Sequence, residues 1–210
     1  MTSDGFSPLF SVMVPSAIKG ENLAKGESFW SGKKGNKVIA DHLSIVDDGL
    51  MHGGMSSGSR DGEGIPSRRQ DIVESGKLVG ELWSTRESAK MVAEGKIEFA
   101  STTGSASRKG HTAPPVCGCR DLVLSSSDKT YSRDRLIEEM DQGYVIHSVM
   151  GAHTANPTSG DFSVTTSTIL RVENGEIIGA LKQAGFSGNM AEALNRKVII
   201  GDTQKRKGSY

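Results

Sequence analysis

A polar, turn-forming segment at residues 151–162 constrains the fold of this 210-residue chain more than any other stretch. It reads GAHTANPTSGDF and lies between two apolar runs. The run before it contains Tyr144, Val145 and Ile146, and the run after it keeps a period of two from Phe162 to Leu170. The sequence therefore predicts two half-buried strands and a loop that the sheet holds in place.

The residues of this loop favour one backbone path. Asn156 and Pro157 start a turn, because proline fixes its own φ and pushes the preceding residue towards an extended conformation. Gly160 accepts a positive φ, and the short polar side chains of Ser159 and Asp161 can cap nearby backbone groups. We therefore expect a defined, site-like loop.

Other segments predict short elements around this loop. Ser-Gly at residues 75–76 and Asn-Gly at residues 174–175 separate apolar residues, as two-residue hairpin turns do. Helices are predicted from Ser7 to near Pro15 and at residues 85–94, 132–140 and 187–194. The predicted fold class is α+β, mainly antiparallel sheet with a few short helices. We expect one domain over residues 1–210, with a helix and connector at 1–40 and a polar tail at 197–210.

Charge and cysteine usage exclude several classes of protein. The 25 basic residues balance the 25 acidic ones and form no extended basic stripe, which disfavours nucleic acid as the main partner. The apolar cluster near the start follows no basic run and is interrupted by Pro15, so we expect neither a signal peptide nor a membrane span. Cys117 and Cys119 are too close for a framework disulfide. We predict a cytoplasmic protein with no nucleic-acid or membrane partner.

Several ordered motifs carry a family resemblance. HTANPTSGDFS at residues 153–163 is followed by VENGEII at 172–178 and AGFSGN at 184–189. Earlier motifs occur in the same order: IVDD at 45–48, DGEGIPSRR at 61–69 and STTGSASR at 101–108. Together they resemble the closing half of the TldD/PmbA family, known as modulators of DNA gyrase and as zinc metallopeptidase subunits. The opening half of the family pattern is not in this chain.

The resemblance implies a C-terminal domain of the PmbA (TldE) type, acting in intracellular proteolysis. Catalytic family members carry a His-Glu-x-x-x-His motif in the opening half and take a further ligand from a cysteine near their far end, and neither maps onto this sequence. We therefore expect no catalytic residue and no cofactor in this chain, with zinc only in a catalytic partner. The implied partners are a catalytic TldD-type subunit or a homo-oligomer, and an extended peptide.

The candidate residues for binding peptide or a partner all belong to the loop: His153, Asn156, Pro157, Thr158, Ser159, Gly160, Asp161 and Phe162. His153 is alternatively a turn histidine that caps the backbone. The glycine-rich segment at residues 49–64 is a further candidate for the same peptide- or partner-binding surface. It lacks the lysine and hydroxyl of a phosphate-binding loop, which disfavours a nucleotide site.

His111, Cys117 and Cys119 form a weak candidate metal site. Imidazole and thiolate suit zinc, but a single Cys-x-Cys pair is more often a pair of free thiols. Ser105, Ser107 and Arg108 could contact a peptide carboxylate, although hydroxyls in such a stretch usually satisfy turns.

A second function stays open beside the peptidase subunit. The chain could be a free-standing peptide-binding or assembly module without peptidase activity. A nearby gene for the opening half would favour a split peptidase, whereas the absence of a copurifying partner would favour the module.

Overall fold

The computed structural model of the chain describes residues 1–166 and 168–202. The chain divides into two compact units: unit 1 comprises Met1–Val14 and Ser126–Tyr210, and unit 2 comprises Pro15–Ser125. The fold is α+β with short helices and mainly antiparallel strand pairs, which confirms the predicted fold class. The single domain over residues 1–210 stays a prediction, and most of the predicted tail at 197–210 lies outside the described residues.

The helices are short, except for the first. They are α1 (Ser3–Ala17), α2 (Gly20–Lys25), α3 (Thr85–Ala93), α4 (Arg133–Glu138) and α5 (Met190–Asn195), with a 3₁₀ turn at Ala152–Thr154. The strands are β1 (Leu43–Asp48), β2 (Arg69–Glu74), β3 (Lys77–Leu78), β4 (Ala106–Ser107), β5 (Val116–Cys117), β6 (Leu122–Ser126), β7 (Gln142–Ile146), β8 (Asp161–Thr166), β9 (Ile169–Glu173), β10 (Glu176–Leu181) and β11 (Ala184–Asn189). Across the described residues no helix has the length and apolar character needed to cross a membrane.

Helix α1 extends beyond the predicted bounds at both ends. The backbone O of Thr2 accepts bonds from the N–H groups of Gly5 and Phe6, and its hydroxyl also accepts from Gly5. Thr2 thus caps the helix, ahead of the start predicted at Ser7. The helix also continues through Pro15 to Ala17, where Val14 and Ala17 are fully buried.

The last predicted helix begins later than expected. Residues 184–189 form β11, and only Met190–Asn195 are helical. The Asn189 side chain accepts bonds from the backbone N–H groups of Ala191 and Glu192, which makes Asn189 the N-cap. The segment after residue 20, predicted as a connector, includes the six-residue helix α2.

Unit 2 is built on a four-stranded sheet with strand order β3-β2-β1-β6. Its buried residues are mainly aliphatic and include Leu43, Ile45, Ile72, Val73 and Leu78. The predicted turn between β2 and β3 is present, with φ values of 45° at Ser75 and 80° at Gly76. Two consecutive positive φ values are typical of the hairpin turn that matches strand twist.

Unit 1 contains a long two-stranded ribbon. The turn at Asn174 and Gly175, with φ values of 50° and 79°, joins β9 to β10 as predicted. The β9–β10 pair, from Arg171↔Gly179 onward, and the β8–β11 pair, as far as Asp161↔Asn189, share the same register. The β8–β11 and β9–β10 pairs therefore belong to a single hairpin.

Strand β7 pairs with β9 on the other side and completes a three-stranded sheet with order β10-β9-β7. Ile137 of α4 packs with Val145 of β7 and Val172 of β9 in a small buried cluster, which Met140 and Leu170 border. Two residues of the helix predicted at 132–140, Ile137 and Met140, therefore contribute to the core of unit 1.

Unit 2 also buries a carboxyl group. Asp47 on β1 is 0% exposed, and its Oδ1 accepts a bond from the backbone N–H of Arg120 at 2.7 Å. Its Oδ2 and the Nε of Arg120 have no hydrogen-bond partner among the described residues. Burial raises the pKa of Asp47 to about 6, because desolvation opposes the charged form more than the Arg120 N–H and guanidinium favour it.

Replacing Gly76 with alanine is expected to destabilise the chain more than the same change at Gly26. Both residues have a φ near 80°, which costs a residue with a side chain about 1–2 kcal/mol. A Cβ at Gly76 would also lie 2.7 Å from the backbone O of Ile39, whereas a Cβ at Gly26 would meet nothing within 4 Å. Urea unfolding of both variants measures the difference, and equal losses of stability would show that the close approach carries no cost.

The Asp47→Asn variant is expected to gain stability over the native chain as pH rises. Because the pKa of Asp47 is raised from 3.8 to about 6 on folding, the folded chain binds the proton more tightly. The stability of the native chain should therefore fall between about pH 4 and pH 6 by up to roughly 3 kcal/mol, at about 1.4 kcal/mol per pKa unit. Asparagine keeps an acceptor for the Arg120 N–H but has no charge.

Urea unfolding at pH 4.5 to 7.5 tests this expectation. The exposed Asp41, which pairs with Lys37, provides the matched control in an Asp41→Asn variant. A stability difference between Asp47→Asn and the native chain that stays constant over this pH range would contradict the expectation.

Candidate functional site

The loop at residues 151–162, the predicted site, runs from the end of β7 towards β8 and begins with a tight turn. Gly151 has a φ of 87° and precedes the 3₁₀ turn Ala152–Thr154. The hydroxyl and the N–H of Thr154 both donate to the backbone O of Gly151, at 2.8 and 3.0 Å. Ala152 and Ala155 are buried, so this turn anchors the loop to unit 1.

Asn156 organises the centre of the loop. Its side-chain O accepts bonds from the backbone N–H groups of Thr158 at 2.9 Å and Ser159 at 3.3 Å. Its backbone O accepts from the N–H of Gly160, and its own N–H donates to the backbone O of Asp161. The predicted turn is therefore present, and both the amide side chain and the main chain of Asn156 help to hold it.

Asn189 joins the loop to β11 and α5. Its Nδ2 donates to the backbone O of Ser159 and to Oδ1 of Asp161, both at 2.9 Å, while its Oδ1 caps α5. The N–H of Met190 donates to the backbone O of Gly160 at 2.8 Å. Hydrogen bonds from the side chains of Ser159 and Asn189 lower the pKa of Asp161, which keeps this exposed carboxylate charged at neutral pH.

The candidate residues differ in what they expose. His153, Asn156, Thr158, Ser159 and Asp161 are exposed, Pro157 and Phe162 are partly buried, and Gly160 is buried. The Phe162 ring packs edge-on against Phe186 of β11, with centroids 5.9 Å apart. Asn156 and Ser159 bond within the loop, and His153 and Asp161 are further exposed polar side chains on its surface.

The ribbon leaves one edge of β11 open within the described residues. Thr165 exchanges both backbone bonds with Met150, at 2.7 and 3.0 Å, so its N–H and C=O face away from β11. Gly185 lies opposite Thr165 and therefore directs its own N–H and C=O to the open side of β11. This edge ends at Asn189, which contacts the loop.

The glycine-rich loop at residues 49–64 lies in unit 2. The Asp121 carboxylate accepts bonds from the N–H groups of Met55 at 2.9 Å and Ser56 at 3.2 Å, and from the hydroxyl of Ser57 at 2.7 Å. Backbone N–H groups that could cradle a phosphate thus bind a carboxylate of the chain itself. This arrangement further disfavours a nucleotide site.

Asp61 and Glu63 also bind backbone N–H groups. Asp61 accepts from Glu63 and Ile65 at 2.9 Å and from Ala106 at 3.0 Å, which ties the turn to β4. The Glu63 carboxylate accepts from the N–H groups of Thr85 at 2.7 Å and Arg86 at 3.2 Å, at the start of α3. The DGEG motif therefore connects three segments of unit 2.

Arg108 satisfies backbone acceptors in the same region. Its Nε donates to the O of Gly62 at 2.6 Å, and one of its terminal nitrogens donates to the O of Ala113 at 2.9 Å. Ser105 is buried and bonds the hydroxyl of Thr103. These contacts favour the turn-forming role of this stretch over contact with a peptide carboxylate.

The weak candidate metal ligands do not fit a zinc site in the described residues. His111 is exposed, whereas Cys117 is buried in β5 opposite Ala106. Burial raises the pKa of both the Cys117 and the Cys119 thiol, which opposes the thiolate form that binds zinc. Within residues 1–166 and 168–202, no three His, Cys, Asp or Glu side chains are grouped to hold an ion.

Sequence reasoning missed that Glu63 and Asp121 fix these loops, and it indicated Asn189 only as a possible helix cap, a role that the structure confirms. Asn189 had a local signal, because it precedes a helix-forming segment and can cap it. Asp121 is 66 positions from Met55, and no local pattern indicates that pairing.

Comparisons with known proteins agree on one family. The sequence pattern described as PmbA/TldA metallopeptidase C-terminal domain matches residues 1–210. A Haemophilus influenzae protein named metalloprotease TldD homolog is 28% identical over 186 residues, covering 88% of this chain and 36% of that protein. The chain spans about two fifths of the length of the curated relatives it matches.

Two solved structures share the fold. The crystal structure of TldE from Thermococcus kodakarensis has a TM-score of 0.79 at 28% identity, covering 94% of this chain and 42% of that one. A Thermotoga maritima protein, named as a candidate modulator of a DNA gyrase, has a TM-score of 0.79 at 30% identity, covering 95% of this chain and 43% of that one. The match over the whole sequence and these fold similarities lead to one conclusion: the chain belongs to the PmbA/TldA metallopeptidase C-terminal domain family.

Proposed function

We propose that this chain is the non-catalytic, C-terminal-type part of a TldD/PmbA peptidase subunit, which holds extended peptide for a catalytic TldD-type subunit. The open edge of β11 beside the loop at residues 151–162 carries the proposal. Zinc and the water-activating groups would belong to the catalytic subunit. The family's description as a metallopeptidase domain supports the link to proteolysis.

Strand addition explains how such an edge would capture peptide. An extended peptide that pairs with an exposed strand satisfies its own main-chain N–H and C=O groups and needs little from its side chains. The sequence of β11, AGFSGN, is rich in glycine and small residues, and its residues Gly185, Ser187 and Gly188 are exposed. Another backbone can approach closely there, which suits capture of many sequences.

The loop would contribute orientation. Two of its exposed side chains, His153 and the ionised Asp161, lie on the segment that Asn189 bonds at the end of β11. A carboxylate in this position would favour a peptide whose N-terminal amine or basic side chain lies nearby. Because the loop is held by internal hydrogen bonds, peptide binding would not need to order it.

A cytoplasmic location is part of the proposal. Cys117 and Cys119 are both free, and free cysteines fit a reducing compartment. Association with a catalytic subunit would bring the captured peptide to zinc.

Replacing Gly185 with proline is expected to weaken peptide binding at least about tenfold. Proline removes the outward N–H and its ring obstructs the edge, whereas the bonds between β8 and β11 do not use that N–H. Fluorescence anisotropy with a fluorescein-labelled extended peptide should give a native Kd on the order of 100 μM, typical of a weak main-chain contact.

The matched control is Gly185→Ala, which keeps the N–H. Its added Cβ would meet only the backbone O of Val164, at an ordinary 3.7 Å, so affinity should stay within about twofold of native. Circular dichroism confirms that both variants fold. Equal affinities for the proline variant and the native chain would refute capture at this edge.

The purified chain is expected to cleave no peptide, with or without added zinc. Its described residues offer no grouped metal ligands, and the candidate loop uses its Asn and Ser side chains to hold its own backbone. Mass spectrometry of peptide mixtures, incubated with the chain alone and with a catalytic TldD-type subunit, measures this. Zinc-dependent cleavage by the chain alone, abolished by a chelator, would overturn the non-catalytic role.

A further inference from the structure

The two faces of the β8–β11 ribbon differ in polarity beside the edge of β11 that is open within the described residues. Directly opposite residues of an antiparallel pair lie on the same face, and the face alternates along each strand. One face carries Ser163, Gly185 and Ser187, which are exposed. The other carries the buried Val164 and its partner Phe186. The ribbon therefore has an outer face of small and polar residues and an inner apolar face.

Phe162 extends the inner face towards the open edge. It lies opposite Gly188, and a Cβ at Gly188 would lie 3.0 Å from the Cζ atom of the Phe162 ring. The ring therefore lies across Gly188, which leaves room for it because glycine has no side chain. Since β11 lies between β8 and the open edge, a ring that reaches from β8 across β11 points towards that edge.

Phe186 forms an aromatic pair with Phe162. The ring centroids are 5.9 Å apart and the rings meet edge to face. Both phenylalanines are only partly buried, and Gly188 between β8 and the open edge is exposed. The pair therefore keeps apolar surface in contact with water next to the edge that a peptide would join.

Strand addition would place peptide side chains on this aromatic pair. Gly185 and Ser187 direct their backbone groups to the open side, so Phe186 and Gly188 would form non-hydrogen-bonded pairs with an antiparallel peptide. Side chains approach most closely at such pairs and share a face. Two peptide residues at alternate positions would thus meet the rings, one beside Phe186 and the other beside Gly188, where the Phe162 ring lies.

We infer that the aromatic pair of Phe162 and Phe186 selects extended peptides with apolar side chains at alternate positions. The inference rests on the proposed capture of peptide at β11 and specifies its substrate class, namely unfolded segments with the alternating pattern of a half-buried strand. The small residues of β11 accept the peptide backbone, and the rings favour apolar side chains on the inner face because contact removes apolar surface from water. Side chains on the outer face stay in solvent and are not selected.

Three fluorescein-labelled peptides of equal length test this selection on the native chain by fluorescence anisotropy. One alternates leucine with threonine, the second alternates serine with threonine, and the third has the composition of the first in the repeating order Leu-Leu-Thr-Thr. The alternating leucine peptide should bind at least about fivefold more tightly than the serine peptide, because its leucines bury apolar surface. The blocked peptide can turn only half of its leucines inwards, so it should bind at least about twofold more weakly than the alternating one.

A variant of Phe162 tests which residues select. Phe162→Ala removes the ring across Gly188, so the affinity ratio of the alternating leucine peptide to the serine peptide should fall to within about twofold. Phe162→Leu keeps an apolar side chain and should retain a ratio of at least about threefold. The matched control is Tyr144→Ala, which removes an exposed aromatic side chain from β7, a strand that does not pair with β11, and should keep the native ratio. Circular dichroism checks that each variant folds, and the peptide comparison on the native chain needs no variant.

The outcomes separate this inference from the proposed function. Equal, measurable affinity for all three peptides would overturn the selection and leave capture at β11 standing. Binding of none of them would refute capture itself, and the inference with it. Equal binding of the alternating and blocked peptides would show that the pattern is not read. A preference for leucine that Phe162→Ala leaves intact would place the apolar contact elsewhere and overturn the role of the aromatic pair.

Discussion

Hydrogen bonds from backbone N–H groups to side-chain oxygens hold the glycine-rich segments of this chain. Asp61, Glu63 and Asp121 accept such bonds in unit 2, and Asn156 and Asn189 accept them in unit 1. Segments rich in glycine have few side chains to bury, so hydrophobic packing cannot fix their path. Each bond contributes only about 0.5–1.5 kcal/mol net, or somewhat more to a carboxylate, but together they specify one conformation where apolar contacts cannot.

Hydrogen bonding and burial of a carboxylate shift its pKa and limit its ability to act as a general base. A carboxylate that accepts hydrogen bonds has a lowered pKa, as Asp161 has, and makes a poor base at neutral pH. Asp47 shows the opposite case, because burial raises its pKa, but it lies on β1 with no exposed surface through which a substrate could reach it. Neither carboxylate is therefore well suited to act as a general base, which supports the binding role proposed for the chain.

Local signals predicted much of the fold. The Ser-Gly and Asn-Gly turns and the helices predicted at residues 85–94 and 132–140 depend on residues within a few positions of each other, and the structure contains these turns and helices. The candidate loop was also predictable, since its turn bonds join neighbours. Hydrogen bonds between residues far apart in the sequence were not predictable. Asp121 accepts bonds from residues 64 to 66 positions away, and Asn189 donates to Ser159, which is 30 positions away. Helix α1 shows another limit of prediction from local signals. Pro15 indicated the end of this helix, but the helix continues to Ala17, and Val14 and Ala17 are buried.

The composition of the ribbon decides where along its open edge another backbone can pair. Strand β11 carries small residues and glycine, which accept another backbone without selecting its side chains. Strand β10 exposes the larger side chains of Ile177, Ile178 and Leu181, and a register shift between Ile177 and Gly179 interrupts its edge. Because a bulge disrupts the regular ladder and increases the local twist, an extended peptide would pair more readily along β11 than along β10. Capture at β11 would also place the peptide beside the loop that Asn189 bonds.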